Sequence, residues 1–317
     1  MRNRIKISIS YLITILLIAI FYYWLDSQKY ELSSSINLSI QMIIVLVLLT
    51  IISTILISLN NQLAISTFGT KLPYKNWLYL GFASAAINHI LPFRSGAIFR
   101  AAYLRKVYKF PISHFSSGFL SINLLAIFGN AALGLITINF SGLQTADFGL
   151  ILAIFFISLT TSCLFIFFVP TRTLDTLPKN NLLNFIKKAH TGFIFLRKQQ
   201  SFMMLSTLLS LINTGMYSLR LYISFTAIGY DVDIYTCILS GVFSTFLLFL
   251  TFTPAGIGIR EAGIVLIGGV ADIPPEICLI AAALDRAVSM SVILAIGSFS
   301  LFALWRQTRS LQNFSKP

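Results

Sequence analysis

Long apolar runs constrain the fold of this chain more than any other feature of its sequence. A helix that crosses a bilayer needs about 20 predominantly apolar residues, and runs of this length recur throughout the 317 residues. Little charge separates them, since 10% of the residues are Asp, Glu, Lys or Arg, against roughly 25% in a soluble domain. Charge this sparse cannot cover a water-facing surface. The sequence therefore excludes a soluble globular enzyme, a coiled coil and a disordered chain, and predicts an all-α polytopic membrane protein.

Six runs are long enough to cross the membrane as unbroken helices. The first, residues 7–25, exceeds the apolar core of a signal peptide, and no small-residue cleavage site follows it, so we expect a retained span. Two further apolar regions, 77–108 and 234–270, are interrupted by Pro, Gly and charge, which leaves six to eight transmembrane helices. The other five unbroken runs are 37–59, 117–138, 148–169, 201–228 and 277–304.

The basic residues lie almost entirely on one side of these spans. Five segments that share a side hold 19 of the 23 Lys and Arg residues, whereas the loops of the other side hold Lys29 and seven acidic residues. Cytoplasmic loops collect Lys and Arg, so both termini are predicted to be cytoplasmic. The same rule explains the net charge of +13, and nucleic-acid binding is not expected.

A single integral membrane domain over 1–317 accounts for this pattern. Its first half covers about 1–170, a basic cytoplasmic loop covers 171–200, and the second half covers 201–317. Apolar residues from Leu182 to Leu196 recur at helical spacing beside lysines, which predicts a helix at the cytoplasmic interface. The opposite-side loops are all short, so no sizeable outer loop is available to carry catalytic carboxylates.

The two interrupted regions share a Pro-x-x-x-Gly pattern, at Pro92/Gly96 and at Pro254/Gly258, with Gly256 inside the second. Proline removes a backbone donor and glycine permits a tight reversal, so each pattern predicts a helix break. In hydrocarbon such a break survives only where it is buried in protein or lines a cavity. Interrupted segments at corresponding positions of two halves indicate an inverted-repeat arrangement. The flanks of the first region are basic, which suggests that it enters from the cytoplasm, and those of the second are acidic, which suggests that it enters from outside. Two topologies are left open: six spans with two re-entrant hairpins, or eight spans.

Four ionisable residues fall where a loop is not expected: Arg260, Glu261, Asp285 and Arg286. Asp285 follows Glu276 by nine residues, which at 1.5 Å per residue is roughly 13 Å into the bilayer. We expect one of these arginines to pair with Glu261 or Asp285, either as a structural ion pair or as part of a phosphate-binding clamp.

Three more cations lie near these regions. Arg94 and Arg100 follow the first break and are candidates to face the same cavity, while Arg220, about 20 residues into its span, is expected to snorkel to the outer interface. His89 is expected to be satisfied within its own helix.

Motifs for chemistry are missing from the sequence. It contains no Walker A loop, no metal-ligand cluster and no nucleophile elbow, so we expect neither a cofactor nor a metal, and no enzymatic activity of its own. Cys163, Cys237 and Cys278 lie in apolar runs without paired spacing and are interpreted as small core residues.

The two interrupted segments resemble the signatures of a known family. The segment Leu91-Pro92-Phe93-Arg94-Ser95-Gly96, continuing to Arg100 and Arg105, resembles the Leu-Pro-Gly-Arg-x-Gly-Glu-x-x-Arg segment of the lysylphosphatidylglycerol synthase transmembrane-region family of flippase-like proteins. The segment 254–261, Pro-Ala-Gly-Ile-Gly-Ile-Arg-Glu, is similar to that family's second signature, and Arg286 resembles an arginine of its final span. Phe93 stands where a glycine is usual and Ala97 where an acid is common. The sequence resembles the membrane module alone, without a soluble aminoacyl-transferase domain, so lipid aminoacylation is not expected as its own activity.

The resemblance implies a protein of the bacterial or archaeal inner membrane that moves or binds lipids with anionic or glycosylated headgroups, phospholipids or polyprenyl phosphates. The expected site is an arginine-lined cavity at the two broken helices. Two alternatives stay open: a membrane-embedded transferase acting on a lipid-linked sugar or aminoacyl donor, and a non-transporting subunit that partners envelope-synthesis enzymes. The proposed site contains Arg94, Arg100, Arg260, Glu261, Asp285 and Arg286 as lipid-binding residues, with Pro92, Gly96, Pro254, Gly256 and Gly258 shaping the breaks.

Overall fold

The computed structural model describes residues 39–141, 147–168, 181–247 and 253–314. Within these ranges the chain forms ten α-helices and no β-strand. The predicted first span, residues 7–25, lies outside the described residues. Residues 171–180, the first third of the basic loop, also lie outside them. The helices are α1 Ile40–Thr67, α2 Tyr74–Ile90, α3 Ser95–Tyr108, α4 Ile112–Phe140, α5 Asp147–Phe168, α6 Asn181–Arg197, α7 Gln200–Ala227, α8 Ile234–Leu247, α9 Ile259–Val270 and α10 Pro275–Phe314.

Helix length and apolarity agree with the predicted spans. Four described helices, α1, α4, α7 and α10, are long and apolar enough to cross a membrane, and α5 and α8 are shorter apolar helices. Helix α1 begins where the Ser39 hydroxyl accepts a hydrogen bond from the Met42 amide at 3.2 Å, which satisfies one of the free donors of its first turn. The all-helical class is therefore confirmed for the described chain.

Both predicted helix breaks are present. Helix α2 ends at Ile90 and α3 begins at Ser95, with Phe93 and Arg94 in the left-handed region at φ 58° and 52°. The second break contains a single 3₁₀ turn, Pro254–Gly256, before α9 begins at Ile259. There Gly258 adopts φ 87°, a conformation that glycine reaches without steric cost.

Eight of the ten described helices fall into two sets of four, α1 to α4 and α7 to α10, that pack against each other, and α5 and α6 pack on α4. Helices α1 and α7 are antiparallel, because Asn60 of α1 donates to the Ser206 carbonyl at 3.3 Å while Ser53, earlier in α1, bonds Asn213, later in α7. Helix α2 packs on α10, where a side chain at Gly297 would collide with Ala86, and α8 packs on α4. Each interrupted region thus lies against the last helix of the other set.

Equivalent contacts that precede the two breaks are separated by 160 residues. Gly81 of α2 abuts Ser58 of α1, and Gly241 of α8 abuts Ser218 of α7, both so closely that a Cβ would lie 1.7 and 2.5 Å from the serine hydroxyl oxygen. The turns after α1 and α7 also have the same backbone hydrogen bonds. At the breaks the spacing is 162 residues, as the Pro-x-x-x-Gly patterns suggested, because the left-handed residues Phe93 and Arg94 correspond to Ala255 and Gly256.

The predicted amphipathic helix of the basic loop is present as α6. Its Phe193 and Leu196 are buried against α4 residues such as Leu125, and the Ser117 hydroxyl of α4 donates to the Ala189 carbonyl at 2.7 Å. The described part of its apolar face is therefore covered by protein. Lys188 and Lys198 are exposed.

Candidate functional site

Buried charges from three helices converge at the second break. They lie on α7, at the start of α9 and one quarter of the way along α10, and they form two ion pairs and one further contact. Because a buried charge costs several kcal/mol unless it is paired, the arrangement of partners decides what the cluster can bind. Its charged members are Arg220, Arg260, Glu261, Asp285 and Arg286.

Arg220 and Asp285 form the most deeply buried pair. The Arg220 Nε donates to Asp285 Oδ1 at 2.7 Å and its Nη2 to Oδ2 at 2.8 Å, a bidentate arrangement, and the two residues are 6% and 3% exposed. The prediction that Arg220 snorkels to the outer interface was wrong. The position of Arg220 along α7 indicates only how deep it lies in the membrane. The side of α7 that carries Arg220 packs against α10, where Asp285 is located.

Arg286 and Glu261 form the second pair, which is one of the pairings that the sequence left open. The Arg286 Nη2 lies 2.6 Å from Glu261 Oε1, and its Nη1 donates to the Ala255 carbonyl inside the break at 3.4 Å. The other Glu261 oxygen accepts from the Gly258 amide at 2.8 Å and so caps α9. This pair fixes the shape of the break by joining α10 to both sides of it.

Arg260 has no carboxylate of its own. Its nearest carboxylate atom is Asp285 Oδ2, 3.9 Å from Nη2, and that carboxylate is already held by two hydrogen bonds from Arg220. Its guanidinium stacks over the Tyr217 ring, with Cζ 3.8 Å from the ring centroid. The Arg260 Nε has no hydrogen-bond partner within the described residues, and 21% of the side chain is exposed.

The cluster therefore carries a surplus positive charge. Three guanidinium groups face two carboxylates. Within each of the two short ion pairs the arginine and the carboxylate cancel in charge, so Arg260 is left unneutralised in the part of the chain that the structure describes. A guanidinium with free donors in a partly buried, low-dielectric setting is suited to phosphate or carboxylate recognition. The stacking on Tyr217 holds it in place for that role.

The first interrupted region reaches this cluster through its helix α2. The Pro254–Gly256 turn packs on α2. His89, near the end of α2, lies within electrostatic range of the guanidinium groups of Arg286, Arg260 and Arg220. The His89 Nδ1 lies 2.9 Å from the Ala85 carbonyl, which confirms that the ring is satisfied within its own helix.

Arg100 lies apart from the cluster. Arg94 is partly buried at the left-handed position that precedes α3. Arg100 is 8% exposed, and its Nε donates to the Ser84 hydroxyl at 3.3 Å. In the described residues no ion pair or hydrogen bond joins Arg100 to the charges around Arg260. The sequence thus predicted four of the five charged cluster members, and the structure separates Arg100 from them.

Gly96 fixes the close approach of α3 to α2. A Cβ there would lie 2.0 Å from the Ser84 carbonyl oxygen, and the Gly96 amide donates to the Asn88 side chain at 2.7 Å. Gly96 is therefore required for the packing of the hairpin, whereas the tight reversal that the sequence assigned to it is made by Phe93 and Arg94.

Sequence reasoning missed Arg220 and Tyr217 as members of the cluster. One pattern pointed to them: small and polar residues recur every three or four positions along α7, which is the spacing of a helix face. Four members of that face are buried: the two missed residues, Ser206 before them and Ser224 after them. The face consists of Ser206, Ser210, Asn213, Tyr217, Arg220 and Ser224.

The three cysteines are free and buried, which confirms them as core residues. Among the described residues no group of His, Cys, Asp and Glu has the arrangement of a metal site.

Comparisons with known proteins agree with this architecture. The model of the family described as the lysylphosphatidylglycerol synthase transmembrane region matches residues 7–297, which include both breaks and every charged residue of the cluster. A UPF0104 membrane protein of Methanocaldococcus jannaschii is 24% identical over 334 residues, which cover 96% of this chain and 97% of that protein. No solved structure matches. The apolar helices and these relatives together support a multi-pass membrane protein.

Proposed function

Since the chain belongs to the lysylphosphatidylglycerol synthase transmembrane-region family, we propose that it is a flippase-like protein that binds a lipid with an anionic phosphate headgroup and moves it between leaflets of the cytoplasmic membrane. The single observation that carries the proposal is the unneutralised Arg260 at a helix break inside the bundle. A buried surplus cation is costly, and a lipid phosphate in contact with it removes that cost.

The surroundings of Arg260 favour a phosphate over a neutral headgroup. Arg260 is the second residue of α9, so the positive end of that helix adds to its charge. The two neighbouring ion pairs keep Arg220 and Arg286 occupied, which limits the attraction to one added negative charge. A monoanionic phosphodiester, as found in phospholipids and polyprenyl-phosphate sugars, matches that charge.

The arrangement of the helices supports an inverted repeat. With both termini in the cytoplasm, as the distribution of basic residues predicts, α1 and α7 cross in opposite directions, in agreement with their antiparallel packing. The first hairpin then enters from the cytoplasm and the second from outside. Six spans with two re-entrant hairpins is the topology that we favour, because each hairpin packs against a full-length helix of the other set.

Headgroup translocation by the purified protein in liposomes tests this proposal. Fluorescently labelled phosphatidylglycerol and a labelled polyprenyl-phosphate sugar serve as substrates, and Arg260→Gln is compared with Arg105→Gln, a matched change at an exposed arginine of α3. A hydrogen bond to a charged group contributes about 1.5–3 kcal/mol, so Arg260→Gln should slow translocation about tenfold or more. Arg105→Gln should leave the rate unchanged.

Equal rates for wild type and Arg260→Gln, with both proteins folded and inserted, would contradict the proposal. Formation of a new lipid product in detergent, where no leaflets exist, would instead favour the transferase alternative. Stoichiometric co-purification with an envelope-synthesis enzyme, without translocation by the chain alone, would favour the role of a complex subunit.

A further inference from the structure

Three buried polar atoms without a hydrogen-bond partner lie together beside the second break. Among the described residues, the Tyr217 Oη, the Ser244 Oγ and the Arg260 Nε have no such partner. They come from three different helices, α7, α8 and α9. A buried polar group without a partner costs free energy and is rare in native proteins. Three of them at one place therefore indicate groups whose partner is a ligand.

The packing of the helices brings these groups next to one another. The Arg260 Cζ lies 3.8 Å from the centroid of the Tyr217 ring, so the hydroxyl at the edge of that ring is next to the guanidinium. The Ser244 hydroxyl lies beside the Tyr217 hydroxyl, although the two oxygens do not have the geometry of a hydrogen bond. One turn earlier on α8, a Cβ at Gly241 would lie 3.2 Å from Cδ1 of the same ring, which places this face of α8 against Tyr217.

Exposure decreases from the arginine to the two hydroxyls. The side chain of Arg260 is 21% exposed, whereas Tyr217 is 8% and Ser244 is 2% exposed. A lipid keeps its acyl chains in the bilayer, so the headgroup enters a protein site ahead of the phosphate. A phosphate held by Arg260 therefore directs the rest of the headgroup toward the two hydroxyls. Both hydroxyls are covered in this conformation, so α8 and α9 must move away from α7 to admit a headgroup.

The charges around Arg260 discriminate among headgroups. The carboxylate of Asp285 is held by Arg220, and that of Glu261 is held by Arg286. One phosphodiester neutralises the surplus charge of Arg260, whereas a phosphodiester with an attached ammonium has no net charge and leaves that surplus in place. The ammonium would also be repelled by the three guanidinium groups. The site therefore disfavours amine headgroups.

The two hydroxyls complement a headgroup that itself has hydroxyls. A Tyr or Ser hydroxyl both donates and accepts hydrogen bonds, as do the hydroxyls of glycerol or a sugar. A site built to hydrogen-bond a ligand hydroxyl rejects the analogue that lacks it, because the buried groups of the site then stay without a partner.

We infer that Tyr217 and Ser244 are specificity-determining residues that bind the hydroxyls of the lipid headgroup whose phosphate Arg260 holds. Phosphodiester lipids with hydroxylated headgroups are thereby selected over lipids with amine headgroups. This assignment rests on the proposed function of Arg260 and deepens it by naming the class of headgroup.

The affinities of three short-chain lipids for the full chain in detergent test this assignment. Phosphatidylglycerol has a hydroxylated headgroup, phosphatidylethanol has the same charge without a headgroup hydroxyl, and phosphatidylethanolamine has an amine. We expect the wild type to bind phosphatidylglycerol about five- to tenfold more tightly than phosphatidylethanol, the factor expected for a neutral hydrogen bond. Phosphatidylethanolamine should bind most weakly of the three.

Variants that remove one hydroxyl each separate recognition from a structural role. Tyr217→Phe and Ser244→Ala should each reduce the preference for phosphatidylglycerol over phosphatidylethanol. The double variant should bind both lipids equally, with the affinity that the wild type has for phosphatidylethanol. Tyr222→Phe, a matched change at a half-buried tyrosine of the same helix, should keep the wild-type preference. Hydroxyls with a merely structural role would change the affinity for both lipids alike and leave their ratio unchanged.

A soluble polyol phosphate carries the same phosphate and hydroxyl groups as the lipid. Displacement of phosphatidylglycerol by millimolar glycerol phosphate would assign the site to this chemistry on either kind of molecule. Two lipid preferences as expected, without displacement by glycerol phosphate, would assign the site to lipids.

Two results would overturn the assignment while the proposed function stands. They are equal wild-type affinity for phosphatidylglycerol and phosphatidylethanol, and an undiminished preference in the double variant, in each case with weaker binding of both lipids by Arg260→Gln. If Arg260→Gln weakens the binding of neither lipid, the proposed function itself fails. Should the double variant not fold, the single variants and the wild-type order of the three lipids decide, and a wild type that binds phosphatidylethanolamine as tightly as phosphatidylglycerol contradicts the assignment.

Discussion

The two interrupted regions share a scaffold and differ in charge. Both pair a glycine with a serine of the preceding helix, and both have an arginine on the helix after the break. The second set has Arg220 where the first has Asn60, and Glu261 at the start of α9 where the first turn of α3 has no acid. The Asn60 Nδ2 donates to the Ser206 carbonyl and the Ser210 hydroxyl, whereas Arg220 requires Asp285. One scaffold therefore supports a charged network in one region and a neutral one in the other.

This difference teaches which charges are structural. The ion pairs Arg220–Asp285 and Arg286–Glu261 exist in the second set alone, so they are not needed to form a hairpin of this kind. Arg260, which begins the helix after the second break, is the charge that these pairs leave unneutralised. We interpret the pairs as support for the geometry around Arg260, and Arg260 as the group that acts on the ligand.

The largest effect is expected from Asp285→Asn, which leaves Arg220 buried without its carboxylate. Removing one partner of a buried pair costs about 3–5 kcal/mol. The melting temperature of the purified protein, followed by fluorescence-detected size-exclusion chromatography, should fall steeply. Asn60→Ala, at the position equivalent to Arg220, loses neutral hydrogen bonds of about 1 kcal/mol and serves as the comparison. Equal losses from the two changes would show that the charged and neutral regions are not different in kind.

A smaller effect is expected at the glycines that bring the helices together. Gly81→Ala places a Cβ 1.7 Å from the Ser58 hydroxyl oxygen and 2.6 Å from its Cβ, so α1 and α2 must separate, at a cost of about 1–3 kcal/mol. Gly241→Ala meets chiefly the Ser218 hydroxyl, at 2.5 Å, which can rotate away. Thermal unfolding should therefore rank Gly81→Ala as the more destabilising. Gly215→Ala, with nothing within 4 Å, is the control and should not lower stability.

The smallest effect is expected from the caps of the two helices that follow the breaks. Helix α3 is capped by Asn88 from the preceding helix and α9 by its own Glu261. Asn88→Ala should cost about 1 kcal/mol and speed hydrogen exchange at the start of α3, with α9 unaffected. Asn88→Asp retains the acceptor and should exchange like the wild type. Faster exchange in both helices after Asn88→Ala would mean that the caps are coupled.

Much of the fold could be predicted from the sequence, because apolar runs and helix-breaking residues act locally. The helices and both breaks follow from such signals. The Arg220–Asp285 pair could not be predicted from depth alone, since which face of α7 meets α10 depends on tertiary packing. The choice of Arg286 rather than Arg260 as the partner of Glu261 likewise depends on how α9 packs on α10. The 162-residue spacing of the breaks could be read from Pro92 and Pro254, whereas the 160-residue spacing of the preceding contacts needed the structure.

The central claim is that Arg260 is an unneutralised cation that binds a lipid phosphate. The most direct test is the affinity of the full chain for short-chain phosphatidylglycerol, measured for wild type, Arg260→Lys and Arg260→Gln. The account predicts that Arg260→Gln weakens binding about tenfold or more, the loss expected for a charge-assisted hydrogen bond of about 1.5–3 kcal/mol. It also predicts that Arg260→Lys, which keeps the charge without the bidentate geometry, falls between the two. Equal affinity for all three proteins would contradict it.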